Sequence, residues 1–363
     1  MRVLLAAGGT GGHLVPAIRI SEAVARQLPD AEFVFVGSDR GFEERVISAR
    51  QQRYLGLPAR GFSRRHLWRN LPALYHNWQA GRIAADLVRE FRPDVAVGCG
   101  GYASYFPIRA CAKSHIPYAL QEQNRQPGLA TKWLSRNADT VFIAFEETRT
   151  ILTHARKIDW SGNPIDPRLA TISREEARRV WNIPADATMV LITGGSTGAR
   201  SINENIVRAL ASPSDGHAIH LLWQTGAQGV DATPESSSGW QVQRFAFTDK
   251  MTEAFVAADL IIARSGALTL SEICAAGRPA ILVPYPLATG DHQYQNARTL
   301  VDAGGAVVID DRELSETSLL SAALLLLGNP DRLQAMAMAN RALGRPHAAD
   351  QIAACVIALG RHS

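Results

Sequence analysis

Two short apolar runs, each opening into a cluster of glycines, constrain this chain more than any other feature. Val3-Leu4-Leu5-Ala6-Ala7 leads into Gly8-Gly9-Thr10-Gly11-Gly12, and Met189-Val190-Leu191-Ile192-Thr193 leads into Gly194-Gly195-Ser196-Thr197-Gly198. A pattern of helical period follows each, over residues 16–28 and 199–210. Strand, glycine turn and helix is how a doubly wound α/β domain begins, so two such starts predict two similar α/β domains. Further apolar runs at residues 33–36, 95–97, 118–120, 140–143, 220–223, 260–262, 280–283 and 306–309 read as buried parallel strands. The stretch Gly162-Asn163-Pro164-Ile165-Asp166-Pro167 breaks both periods and reads as a hinge. The expected division is therefore 1–163, 164–345, and a C-terminal amphipathic helix within 346–363 free to pack on either domain. With 363 residues, 46% apolar and 20% charged, the chain is long enough for two cores and too apolar for disorder.

The chemistry is expected in the glycine loops. Gly8 to His13 lets backbone N–H groups approach a ligand at the positive end of a helix. Leu14 breaks the dinucleotide fingerprint, and no Gly-Lys-Ser/Thr follows to make a P-loop. His13 is either a general base, held neutral by the helix terminus, or a simple helix cap. The second loop offers Ser196 and Thr197 hydroxyls beside backbone donors, a phosphate cradle. A third follows the strand at Val95 (Gly98-Cys99-Gly100-Gly101-Tyr102-Ala103-Ser104). A fourth, Arg264 to Glu272, has a strand ending at Ala263 and a helix starting near Ala267. Glu272, one turn along, would repel phosphate but suits two ribose hydroxyls; the alternative is a solvated helix glutamate. Gln293 and Asn296 share a helix face after the strand at Ile281 and read as sugar ligands or as a capped helix start.

No Asp-x-Asp and no metal-ligand spacing occur, so neither a catalytic metal nor a cofactor is expected. The cysteines Cys99, Cys111, Cys274 and Cys355 form no CxxC pair and read as reduced thiols. The longest apolar stretch, Leu319 to Leu327, is too short to span a bilayer, and the first residues lack a signal-peptide pattern, which predicts a cytoplasmic chain. Charge is uneven: residues 1–163 hold 22 basic and 14 acidic side chains, the remainder 16 and 20. Within the basic half, Arg60 to Arg82 mixes Arg64, Arg65, Arg69 and Arg82 with Leu67, Trp68, Leu71, Leu74, Tyr75 and Trp78. Three readings fit: an anionic membrane surface, single-stranded nucleic acid, or a core helix with its arginines in water. No recognised nucleic-acid motif accompanies the segment.

In order along the chain, GGTGGHLVPA, VGCGGYAS, EQN, GNP, GGSTGA, RSGALTLSEICAAGRPAILVPYP and DHQYQNA resemble the MurG family of bacterial peptidoglycan glycosyltransferases. The resemblance runs from Arg2 to about Ala297 and weakly beyond. It implies an α/β GT-B fold, two Rossmann-like domains with parallel sheets facing a cleft. It also implies inverting, metal-independent transfer of N-acetylglucosamine from UDP-N-acetylglucosamine to lipid I, making lipid II at the cytoplasmic face of the plasma membrane. The first domain would face acceptor and membrane; the second would bind the UDP-sugar. By motif match, Thr10, Gly11 and Gly12 lie near the donor's sugar and diphosphate, and Asn124 near the sugar or acceptor. Ser196 binds phosphate; Ala267, Leu268, Thr269 and Ser271 form the nucleotide loop, with Glu272 on the ribose. Gln293 and Asn296 hold the sugar, and His13 matches the candidate base. Thr248 stands where the family has an isoleucine beside the uracil. Asp166 stands where it has an arginine, with Arg168 two residues on. The rival readings are another UDP-sugar enzyme on the same fold, a glycolipid synthase or an epimerase, and a non-catalytic nucleotide-sugar binder.

Overall fold

The computed structural model describes every residue except 10, 40, 62–70, 196, 212–218, 228, 230–235, 238, 239, 316, 317, 362 and 363. The chain divides into two compact units, Met1–Ile165 with His347–Ser363, and Asp166–Pro346.

In the first unit the elements run β1 (Arg2–Ala6), α1 (Gly11–Gln27), β2 (Glu32–Ser38), α2 (Phe42–Ser48), β3 (Arg53–Leu57) and α3 (Leu71–Phe91). They continue as β4 (Val95–Gly98), α4 (Tyr105–Lys113), β5 (Tyr118–Glu122), α5 (Leu129–Leu134), β6 (Thr140–Ile143) and β7 (Ile158–Asp159). All seven strands are parallel, in the order β3-β2-β1-β4-β5-β6-β7. β1 and β4 to β6 are buried on both faces, which is why they read as continuous apolar runs.

The second unit repeats the plan. It runs α6 (Arg174–Val180), β8 (Thr188–Thr193), α7 (Arg200–Leu210), β9 (Ile219–Gln224), β10 (Ser236–Ser237), β11 (Trp240–Phe245) and α8 (Met251–Ala257). Then come β12 (Leu260–Ala263), α9 (Ala267–Ala276), β13 (Ala280–Leu282), α10 (His292–Asp302), β14 (Ala306–Val308), α11 (Leu319–Leu327) and α12 (Pro330–Leu343). The sheet order is β10-β11-β9-β8-β12-β13-β14, parallel except for the β10 edge.

The last helix, α13 (Ala348–Arg361), returns to the first unit. Ala349, Ile352, Ala353 and Val356 join Ala17 of α1, Val3 and Leu5 of β1 and Val95 of β4 in one apolar cluster. Arg26 and Asp350 pair at 2.6 Å across the α1–α13 seam, and Gln27 donates to the Asp350 carbonyl. α13 and α1 therefore cover one face of the sheet; α3 and α4 cover the other, over Leu4, Ala96 and Leu120.

Two expectations need correction. α1 starts at Gly11, inside the glycine cluster, rather than at Pro16. Proline is favoured at a helix start, but the first turn's N–H groups need no intrahelical partner, so glycines begin the helix and Pro16 lies within it. Strands β3, β7, β10 and β11 carried no apolar run. β3 and β11 lie toward the sheet edges and are partly exposed, with buried and exposed side chains alternating at the start of β11.

Ile352 is fully buried on the α13 seam. Ile352→Ala should destabilise the first unit by about 2–5 kcal/mol, read from urea unfolding; a change within about 0.5 kcal/mol would mean that α13 is not part of its core.

Candidate active site

In an open parallel sheet, ligands bind beyond the carboxyl ends of the strands where the strand order reverses. In the first unit that point lies between β1 and β4. The loops after these strands cross at contact distance: Gly8 N–H donates to the Gly100 carbonyl at 3.3 Å. A Cβ on Gly101 would lie 1.6 Å from the Gly8 carbonyl oxygen, and Gly101 has φ +80°, so only glycine fits. α1 then begins at Gly11, so the amides of Gly11, Gly12 and His13 form its first turn.

Two buried carboxylates hold these loops. Glu43 of α2 accepts from Gly9 N–H at 2.6 Å, from Ser38 N–H at 3.1 Å and from the Ser38 hydroxyl at 2.5 Å. The Tyr54 phenol, 3.2 Å from the same carboxylate, is pushed far above its ordinary pKa by burial and by Glu43. Glu122, at the end of β5, accepts from Asn124 N–H and Gly128 N–H, both at 3.1 Å, and so shapes the turn that carries Asn124. His13 Nδ1 lies 2.8 Å from Gln123 Oε1.

The second unit has its reversal between β8 and β12. Gly195 N–H donates to Thr193 Oγ1, whose hydroxyl donates to Gln224 Oε1 at 2.6 Å, and Arg264 N–H donates to the Thr193 carbonyl. α9 starts on Gly266, which offers no side-chain cap to the first-turn amides. Its partly exposed face carries Leu268, Thr269, Ser271 and Glu272, while Ala267 and Leu270 turn inward. Arg264 ties the neighbouring strand ends together. Its guanidinium donates to the carbonyls of Val283 and Pro284, to Asp311 at 2.5 Å and to Ser201 Oγ at 2.8 Å. Gln293 Oε1 accepts from Tyr285 N–H at 3.0 Å.

Residues 3–143 match the glycosyltransferase family 28 N-terminal domain, and residues 189–352 match the glycosyltransferase family 28 C-terminal domain. The chain is a member of glycosyltransferase family 28. It is 38% identical to the "UDP-N-acetylglucosamine--N-acetylmuramyl-(pentapeptide) pyrophosphoryl-undecaprenol N-acetylglucosamine transferase" of Desulforudis audaxviator, over 97% of this chain and 96% of that one. Among solved structures it is similar to MurG of Acinetobacter baumannii, with TM-score 0.77 and 28% identity, covering 98% of this chain and 99% of that one. A UDP-GlcNAc 2-epimerase from Neisseria meningitidis shares the fold, with TM-score 0.67, 14% identity and coverage of 99% and 100%. The GT-B architecture of this family 28 enzyme is the one its sequence predicted.

Other expected residues take varied places. Thr10 and Ser196 lie outside the described residues, as do Arg64, Arg65, Leu67, Trp68 and Arg69. Thr248 Oγ1 accepts from Lys250 N–H at 3.1 Å, so its hydroxyl shapes the turn into α8. Asp166 caps the following turn by accepting from Arg168 N–H, and also accepts from Thr252 Oγ1. The Arg168 guanidinium pairs with Asp166 at 2.8 Å and Glu253 at 2.9 Å, which holds it firmly protonated; it is a neutralised side chain of the second unit. Asn296, on the same face of α10 as Gln293, is fully buried, whereas Gln293 is partly exposed. Glu43, Gln121, Gln123 and Arg264 were not foreseen as site residues. A glutamate or glutamine followed by a loop gives no sequence signal until the fold closes around it. Among the described residues no group of three or more His, Cys, Asp or Glu side chains could hold a metal ion.

The reading of α3 as a plain core helix is also corrected. Ala80, Ala84, Leu87 and Val88 face the core, but Leu74, Tyr75 and Trp78 are each more than half exposed. Arg82 lies over the Trp78 ring at 5.1 Å. Phe106 of α4 approaches α3 at Gly81, and its neighbour Tyr105 packs edge-on against Trp133 of α5, itself 58% exposed. An aromatic band with Arg82 and Arg109 along it thus crosses three helices of the first unit.

Glu43→Ala would strip four donors from one buried carboxylate site. It should lower stability by on the order of 3 kcal/mol in chemical denaturation; a loss under about 0.5 kcal/mol would show that the loop does not depend on it.

Proposed function

We propose that this family 28 enzyme transfers N-acetylglucosamine from UDP-N-acetylglucosamine to lipid I, the polyprenyl-pyrophosphoryl N-acetylmuramyl-pentapeptide, to make lipid II. The observation that carries the reading is near-full-length kinship with a transferase named for that reaction, and the glycine loops that carry the sequence resemblance follow the strands at both sheet reversals. The second unit is the donor half. The first-turn amides of Ala267, Leu268 and Thr269 face the diphosphate with Ser196, Ser271 lies alongside, and Glu272 accepts the two ribose hydroxyls. Thr248 meets the uracil through its backbone, and Gln293 addresses the sugar. The first unit is the acceptor half, with Thr10, Gly11, Gly12 and Asn124 at the reacting sugars.

His13 is the general base. As the acceptor oxygen attacks the anomeric carbon, His13 takes its proton, the carbon–oxygen bond to UDP breaks and the configuration inverts. Charge developing on UDP is met by backbone amides and the α9 dipole. A transfer assay with a panel of UDP-sugars and a soluble lipid I analogue tests this: N-acetylglucosamine should move only when acceptor is present. Turnover of UDP-N-acetylglucosamine without acceptor would establish an epimerase instead. His13→Ala should lower kcat by about 10²–10⁴-fold; near-full kcat would require a different base.

The aromatic band is the membrane-facing surface, and it favours the lipid reading of the basic half: buried indoles with arginines at headgroup level suit an anionic bilayer. No described helix is long and apolar enough to cross a membrane, and the enzyme is proposed to lie on the cytoplasmic face. Trp78→Ala with Trp133→Ala should weaken binding to anionic phospholipid vesicles by on the order of tenfold or more while UDP affinity is unchanged. Equal vesicle binding would assign the band another role.

A further inference from the structure

A general base at His13 must present an unprotonated nitrogen, and an imidazole has two. Which one carries the proton is set by the partner of the other. In the first unit that partner belongs to a buried chain of three amides, Asn163, Gln121 and Gln123, all shielded from solvent.

The direction of the chain is fixed at both ends by backbone. Gln123 Nε2 lies 2.8 Å from the Cys99 carbonyl and 3.0 Å from the Gln121 carbonyl. Turning this amide over would set its oxygen against two carbonyl oxygens, so the nitrogen stays there. At the far end, Asn163 Nδ2 donates to the Gln123 carbonyl at 3.3 Å, which leaves Asn163 Oδ1 to accept from Gln121 Nε2 at 3.0 Å. Gln121 Oε1 lies against the same Gln123 Nε2 and shares one of its two protons with a backbone carbonyl. The remaining atom, Gln123 Oε1, faces His13 Nδ1 at 2.8 Å. An amide oxygen only accepts, so Nδ1 must donate.

Gly100 lies beside this same contact. With φ +90°, it stands where a Cβ would fall 3.0 Å from His13 Nδ1 and 3.4 Å from Gln123 Oε1. Its missing side chain is what lets imidazole and amide meet.

We infer that Gln123 is a positioning residue: oriented by the Cys99 and Gln121 carbonyls and backed by the Gln121 and Asn163 side chains, it locks His13 as the Nδ1–H tautomer and leaves Nε2 as the proton acceptor. The inference rests on His13 being the base only for its catalytic consequence; the tautomer itself stands on the amide geometry. It also gives Asn163 of the GNP motif a role two residues before the boundary between the units, as the group that orients the Gln121 amide behind Gln123.

The test is ¹⁵N NMR of histidine-labelled enzyme at about pH 9, above the ordinary histidine range. His13 is assigned by the signal lost in His13→Asn. The wild type should show His13 protonated at Nδ1, and an Nε2–H signal there overturns the inference without needing any variant to fold. Gln123→Met, with its fold checked by circular dichroism, should release the tautomer and lower kcat on the order of 100-fold with little change in KM for UDP-N-acetylglucosamine. An unchanged tautomer in Gln123→Met also overturns it. A tautomer that shifts while kcat holds would support the lock and instead remove His13 from the role of base.

Discussion

At the reversal point of the first sheet, two strand-to-helix loops pass so closely that no side chain fits between them. The Gly101 backbone lies against the Gly8 carbonyl, and Gly8 in turn donates to Gly100. That approach needs glycine, and its result is a surface of bare backbone at the mouth of the sheet. The second sheet also reverses between β8 and β12, but its close glycine approach joins the loops after β8 and β9, where a Cβ on Gly198 would fall 2.3 Å from the Thr225 carbonyl oxygen. Backbone amides suit an anionic ligand: they are fixed by the strands and helices behind them and lose no side-chain freedom on binding. In each unit, strand order and glycine together set where the bare loops lie.

Bare loops need support from beneath, and in the first unit buried polar groups supply it. Glu43 gathers the donors of Gly9 and Ser38, Glu122 fixes the turn bearing Asn124, and the amide chain ends on His13. Each buried polar group costs free energy unless it is paired, so such a network holds one arrangement of the loop above it. The second unit uses Arg264, which ties the ends of β12 and β13 to Asp311 and Ser201. Arg168 pairs with Asp166 and Glu253, and Asp166 closes the turn by accepting from Arg168 N–H.

Much of the fold could be read directly from the chain. β1, β8 and their glycine loops announced two doubly wound units because a central parallel strand is apolar on both faces and its turn must be compact. β3 and β11, being partly exposed, lack that run, and the helical period begins only at Pro16 because the glycines of the first turn of α1 carry no side-chain pattern. Within the site, His13, Glu272 and the loop glycines carried local signals. Gln121 and Glu43 carried none, and Gln123 only its place in the EQN motif: their work depends on partners 2 to 110 positions away. The burial of Asn296 could not be read from its spacing to Gln293, because spacing gives a shared helix face without saying which way it turns. Trp133 was overlooked because its aromatic neighbours lie on another helix.

Soaking crystals with UDP-N-acetylglucosamine asks most directly whether the glycine-lined reversal of the second sheet is the donor site. The account predicts both ribose hydroxyls on the Glu272 carboxylate and the diphosphate on the amides that open α9 and follow β8. Uridine density anywhere else in the molecule, or a ribose turned away from Glu272, would contradict it.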